Sequence, residues 1–144
     1  MKYDPQMIKP IREKITRLDV EDLRDVDDVK DFLDRDGTSM IFVNSVCGCV
    51  GEVAVPALED ALDHDVLPDH LGTVFAGQDR EATEHVRNLA PDCDPSSPSI
   101  YLFEDGSPEY YVHRKSIKGN AAERVAEDLK SKFKELNAPA KAES

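Results

Sequence analysis

"MIFVNSVCGCVGE", residues 40–52, runs from an apolar segment straight into two cysteines separated by one glycine. The wider run "TSMIFVNSV" is apolar, partly β-branched and of strand length, which suits a central strand covered on both faces. Beyond it Val53, Ala57, Leu58, Ala61 and Leu62 recur at helical spacing, and Pro56 inside that pattern is expected to kink the helix. The thiols therefore fall in the turn between a strand and a helix. At a helix start several backbone N–H groups lack partners and the dipole is positive, so thiolate is favoured over thiol. Cys47 fits that place and is expected to be the attacking thiolate. Cys49, at or near the first helical residue and less exposed, is expected to be its resolving partner. Gly48 has a mechanical reason to be there: it removes a Cβ that would obstruct the tight turn and an incoming disulfide.

On the N-terminal side, "IREKITRL" is amphipathic and "DVDDVKDFLDRDG" puts Val26, Val29 and Leu33 on one helical face, with an Asp25–Asp28 capping box and Gly37 as the stop. On the C-terminal side, "HLGTVFAG" reads as a second strand, and Asp79 is placed to cap the helix "REATEHVRNL". "IYLFE" and "EYYVHR" joined by "DGSP" read as an antiparallel hairpin, on which Tyr110 and Tyr111 alternate so that one is core and the other surface. Asn120 and Glu123 open a last helix with Val125, Leu129, Phe133 and Leu136 as its buried stripe. The order is a helical lead-in (1–36) and a core (38–136) of strand, helix, strand, helix, hairpin and helix, followed by a flexible tail (138–144). Residues 1–137 thus form a single α/β domain with a four-stranded mixed sheet flanked by helices, the thioredoxin arrangement.

Composition sets bounds on function. The chain has 144 residues, 33 % charged and 40 % hydrophobic, a soluble globular profile of single-domain size. With 30 acidic against 18 basic residues its formal charge is -12, which repels a nucleic-acid backbone and reads as a solvated surface. The charged, proline-containing N-terminus is no signal peptide and no window approaches a membrane span, so a cytoplasmic location is expected. In a reducing compartment closely spaced thiols read as redox-active or metal-binding. A structural zinc site wants four ligands, and no second closely spaced Cys or His pair is present. His64, His70, His85 and His113 are scattered surface or capping residues, and Cys93 is read as a bystander. A disulfide closed across one residue forms a smaller, more strained ring than C-x-x-C, so the pair should be oxidising and short-lived.

Three ordered motifs then carry a resemblance. "VNSVCGC" followed by the Pro56 helix, "TVFAGQDREAT" (73–83) and "PSSPS" (95–99) resemble the bacilliredoxin family of thioredoxin-like proteins, over nearly the whole chain. Val50 and Glu52 stand where small apolar residues are expected. The resemblance implies a cytoplasmic oxidoreductase that removes bacillithiol, a low-molecular-weight thiol and the co-substrate, from modified protein cysteines, with no further cofactor and no metal. It implies attack by Cys47 on the bacillithiol sulfur, clearance by Cys49 or free bacillithiol, and a cis-proline at Pro98 with the Ser97 backbone pairing to an extended substrate segment. Other readings stay open: a disulfide isomerase or general reductase, a non-catalytic redox sensor, and metal carriage by Cys47, Cys49 and Cys93.

Overall fold

The computed structural model of the protein describes residues 4–136. The chain order is α1 (Pro5–Thr16), β1 (Glu21–Asp22), α2 (Val26–Leu33), β2 (Thr38–Asn44), a π-helical turn (Val50–Ala54) leading into α3 (Val55–Leu62), and β3 (His70–Phe75). It continues with α4 (Arg80–Leu89), β4 (Ser99–Glu104), β5 (Ser107–Val112), a 3₁₀ turn (Arg114–Ser116) and α5 (Ala122–Leu136). The expected tail at 138–144 lies outside the described residues.

The sheet has five strands, not four, in the order β1-β3-β2-β4-β5. β1 is only two residues long, pairs parallel with β3 at Gly72 and Thr73, and has no alternation to reveal it in sequence. The lead-in is therefore not purely helical: it supplies a sheet edge, and α2 packs directly on the sheet. β2 is central, parallel to β3 and antiparallel to β4, and all seven of its residues are buried.

Alternation along the strands sends side chains to two cores. Met40, Phe42, Ile100, Leu102 and Val112 pack with α3, α5 and Ile15 of α1 on one face. Ile41, Val43, Val74, Tyr101 and Phe103 pack with α2 and α4 on the other. Burying a side chain such as Phe42 fully contributes about 2 kcal/mol. Gly72 lets α2 come close, since a Cβ there would stand 2.8 Å from Leu23 Cδ1 and 3.0 Å from Phe32 Cζ. Tyr110 and Tyr111 do not split into core and surface; both are half-buried, Tyr110 against the first core and Tyr111 against the second. A bulge between Leu102 and Phe103 leaves Glu109 unmatched in the β4–β5 register.

Helix starts follow local chemistry with three corrections. The N–H of Asp28 donates to Asp25 Oδ1 at 2.8 Å, but Asp28 Oδ2 reaches back to the Arg24 N–H at 3.0 Å and so closes the box one residue early. Gly37 is not a helix stop: α2 ends at Leu33, and Gly37, at φ 107°, serves the turn into β2, where its N–H donates to Asp105 Oδ1 at 2.9 Å. Asn120 does not cap α5; its amide donates to the Lys115 carbonyl at 3.3 Å, and the helix carbonyl ladder starts at Ala121.

Candidate active site

Four chain segments meet at one end of the sheet. Val43 of β2 stands beside Ser99 of β4, Ile100 beside Val112 of β5, and Asn44 beside Phe75 of β3. The residues just past the ends of β2, β3 and β5, and just before β4, are therefore neighbours: Cys47, Gly77, Arg114 and Pro98.

The chain leaves β2 through side chains that satisfy its freed backbone. Asn44 Oδ1 accepts the Ser45 N–H at 2.8 Å and Ser45 Oγ accepts the Cys47 N–H at 3.2 Å. Helical geometry begins at Gly48, and the Val50 N–H donates to the Cys47 carbonyl at 3.0 Å. The first full turn is π-helical, with the Val55 N–H bonded to the Val50 carbonyl five residues back. Pro56, at the start of α3, has no N–H to return and its ring crowds the preceding turn, so the kink read from sequence takes the form of this wide turn.

Cys47 is half-buried and Cys49 is buried at 7 % exposure, with their unbonded Sγ atoms 2.7 Å apart. The two thiols are electrostatically unequal. Cys47 is pulled down from 9.0 to about 7, first by the hydrogen bond its sulfur receives from the Cys49 thiol, then, against the cost of burial, by the Cys49 backbone N–H and by Arg114. Cys49 is pushed up by burial and by the negative charge of its neighbour. Gly48 is exposed and outside the left-handed region, and a Cβ there would meet only Glu52 Oε1 at 4.0 Å. The turn does not need a glycine, which corrects the first of the two mechanical reasons; room for an approaching partner is the reason that remains.

Sequence reasoning missed Arg114. Its Nη2 lies 3.6 Å from Cys47 Sγ, and its own ionisation is raised by that contact. Its place is fixed by the loop before β4: the Arg114 N–H donates to Ser96 Oγ at 3.1 Å, and Ser96 Oγ lies 2.8 Å from the Tyr111 hydroxyl. Tyr111 in turn donates to the Asp94 carbonyl at 2.6 Å. The available signal was the basic "HRK" run in an acidic chain, placed where the hairpin returns to the cysteine end of the sheet.

The Ser97–Pro98 bond is cis, and Ser97 lines the same open groove as Cys47. Cys93 packs on the second core and lines a depression with Tyr111, its thiol pushed up by burial, while Cys47 packs against the first. Gln78 and Asp79 belong to a different depression, beside α1. Asp79 stands at the N-terminus of α4 but makes no side-chain cap; its carboxylate accepts from Arg12 at 2.7 and 2.9 Å and from the Phe75 N–H at 3.0 Å. His113 caps the 3₁₀ turn by accepting the Lys115 N–H at 3.0 Å. Among the described residues no group of three His, Cys, Asp or Glu is arranged to hold a metal ion, and no helix is long and apolar enough to cross a membrane.

A family profile described as Disulphide isomerase matches residues 3–137. A Bacilliredoxin of Salinibacter ruber is 46 % identical over 138 residues, covering 92 % of this chain and 80 % of that protein. A Bacilliredoxin of Cytophaga hutchinsonii is 40 % identical over 134 residues, covering 93 % of this chain and 99 % of that protein. Among solved structures, Malassezia sympodialis thioredoxin superposes with a TM-score of 0.58 at 15 % identity, covering 83 % of this chain and 91 % of that one. Plasmodium falciparum thioredoxin gives 0.54 at 13 % identity, with 81 % and 98 % covered. At such identities these two likenesses speak for the fold alone.

Proposed function

The chain belongs to the bacilliredoxin family and is a thiol-disulfide oxidoreductase, and on that premise we propose that it removes bacillithiol from S-bacillithiolated cytoplasmic proteins. The Cys47 thiolate attacks the bacillithiol sulfur of the mixed disulfide. The bond to the client sulfur breaks, and the client leaves as a thiolate that takes a proton from water. Bacillithiol is then held on Cys47. It is cleared either by Cys49, whose sulfur bonds to Cys47 Sγ, expels bacillithiol thiolate and leaves a Cys47–Cys49 disulfide for a further thiol reductant, or by a free bacillithiol, which bonds to the held bacillithiol sulfur, departs as bacillithiol disulfide and releases the Cys47 thiolate. Bacillithiol is thus a co-substrate, and the reading requires no resident cofactor. The Ser97 backbone beside the groove pairs with the extended client segment, and Gly48 leaves that approach open.

The observation that supports this reading is the inequality of the two thiols at a 2.7 Å separation. A half-buried sulfur held down at about 7 is the nucleophile at neutral pH, whereas its buried neighbour is kept protonated until the first transfer is complete. Protonated Cys49 also stabilises the Cys47 anion by donating to it, so the resolving thiol assists the first step before performing the second.

The test is a single-turnover reaction with a bacillithiolated protein, followed by mass spectrometry. Cys47→Ser is expected to abolish release, and Cys49→Ser to release the client once and retain bacillithiol on Cys47. An active Cys47→Ser protein with an inactive Cys49→Ser protein would reverse the roles. The matching family description favours a second reading, disulfide isomerisation. It takes precedence if scrambled protein disulfides turn over faster than bacillithiol adducts.

A further inference from the structure

The groove beside Cys47, about 490 Å³, is walled by Arg87 of α4, Arg114, Ser97 and the turn at Ala76 and Gly77. No carboxylate lines it. That is unusual in a chain with 30 acidic against 18 basic residues, and four other depressions among the described residues each include an Asp or Glu in their walls. Glu52, the acid nearest Gly48, is not part of the groove wall.

Neither arginine is paired with a carboxylate among the described residues. Arg87 gives Nη2 to the Ser96 carbonyl at 3.3 Å, Arg114 gives Nη2 to Cys47 Sγ at 3.6 Å, and the Nε of each is buried without an acceptor. Guanidinium donors left in this state are the exception in folded proteins, and their planar fork matches a carboxylate. Attraction toward this groove is also local, because the rest of the acidic surface repels anions at longer range.

We infer that Arg87 and Arg114 form an anion-accepting subsite, and that Arg87 selects disulfide partners whose sulfur lies a few bonds from a carboxylate. The inference rests on Cys47 as nucleophile and adds a chemical property of the small thiol that the groove takes: it is acidic. The arginines stay outside the covalent step, in which Cys47 Sγ bonds to one sulfur and the other departs as a thiolate that is protonated by water. Their roles differ. Arg114 touches the reacting sulfur, whereas Arg87 is a specificity residue that reaches the groove from α4.

Three matched alkyl disulfides test this: dithiodipropionate (anionic), hydroxyethyl disulfide (neutral) and cystamine (cationic). Single-turnover rates of the reduced protein are divided by those of thioglycerol, a neutral thiol, with the same disulfide, which removes intrinsic reactivity. Dithiodipropionate is expected to be preferred over hydroxyethyl disulfide by about tenfold, with cystamine last. The preference should shrink as salt is added. Arg87→Gln should lose most of it, and Arg87→Lys, which keeps the charge, should retain part. A merely structural Arg87, holding the Ser96 carbonyl, would change all three rates alike. A normalised preference near one, or a raised preference that survives Arg87→Gln, overturns the inference while leaving the nucleophile intact. If none of the disulfides reacts, Cys47 is not the nucleophile and the inference falls with the reading beneath it.

Discussion

Arg114 Nη2 lies 3.6 Å from Cys47 Sγ across 67 positions of sequence, so the cation beside this sulfur comes from the chain that leaves the edge strand β5 and not from the cysteine motif. Three groups thus act on the same sulfur: the Cys49 thiol and the Cys49 backbone N–H by hydrogen bonding, and Arg114 by a long contact and by charge.

Alkylation of Cys47 by iodoacetamide should rise with pH through a midpoint at about 7, because only the thiolate reacts. Both Cys49→Ala and Arg114→Met remove groups that favour the anion, so both midpoints should move up toward the ordinary thiol value. The larger move belongs to Cys49→Ala, since the Cys49 thiol is the largest cause of the lowering. At neutral pH the Cys49→Ala rate should fall about fivefold. An unmoved midpoint in Arg114→Met would mean the contact has no electrostatic weight.

Gly48→Ala should fold at least as well as the wild type. Nothing lies closer than 4.0 Å to the added methyl, and replacing a glycine of ordinary helical φ is favourable by up to about 1 kcal/mol. Exchange with protein-sized disulfides should slow while small disulfides react nearly as before. Urea unfolding together with the two rates distinguishes this from a glycine required by the turn, for which stability would drop.

Arg12 and Asp79 are both under 9 % exposed, and their double hydrogen bond ties α1 to the start of α4. Asp79→Ala should cost about 3 kcal/mol in urea unfolding, since it removes the double hydrogen bond, leaves the buried guanidinium with Asp22 alone at 3.0 Å and frees the Phe75 N–H. Replacing both partners with leucine should recover much of that loss. Equal losses in the single and double variants would rule out the under-compensated guanidinium as the cause.

Gly72→Ala should destabilise by about 2 kcal/mol, because its Cβ would collide with Leu23 and Phe32, both held in the second core. Leu23→Ala in the same chain should relieve part of the strain. Thermal unfolding of the two variants provides the comparison.

What sequence could reveal divides along physical lines. β2 and the junction that follows it were legible because an unbroken apolar run and a helical repeat are local patterns, and the thiols sit between them. β1 was not, because Glu21 and Asp22 are too few to alternate. Asp79 stood in the right place for a cap, but its carboxylate found a stronger partner in Arg12, which no local pattern brings near. Arg114 was invisible for a related reason: its position depends on the β4–β5 register and on Ser96, both of which are properties of the folded sheet. The same holds for Tyr110 and Tyr111, whose shared burial follows from α5 on one side and the 94–98 loop on the other.

The unmatched Glu109 is a residue the ladder can lose. Phe103 pairs with Pro108 and Leu102 with Tyr110, so deleting Glu109 would let the hairpin close with each remaining pair, and the face of each side chain, unchanged. Tyr111 opposite Tyr101 and Val112 opposite Ile100 carry the chain toward Arg114, so the delivery of that guanidinium to Cys47 is written in β4 and not in the inserted residue.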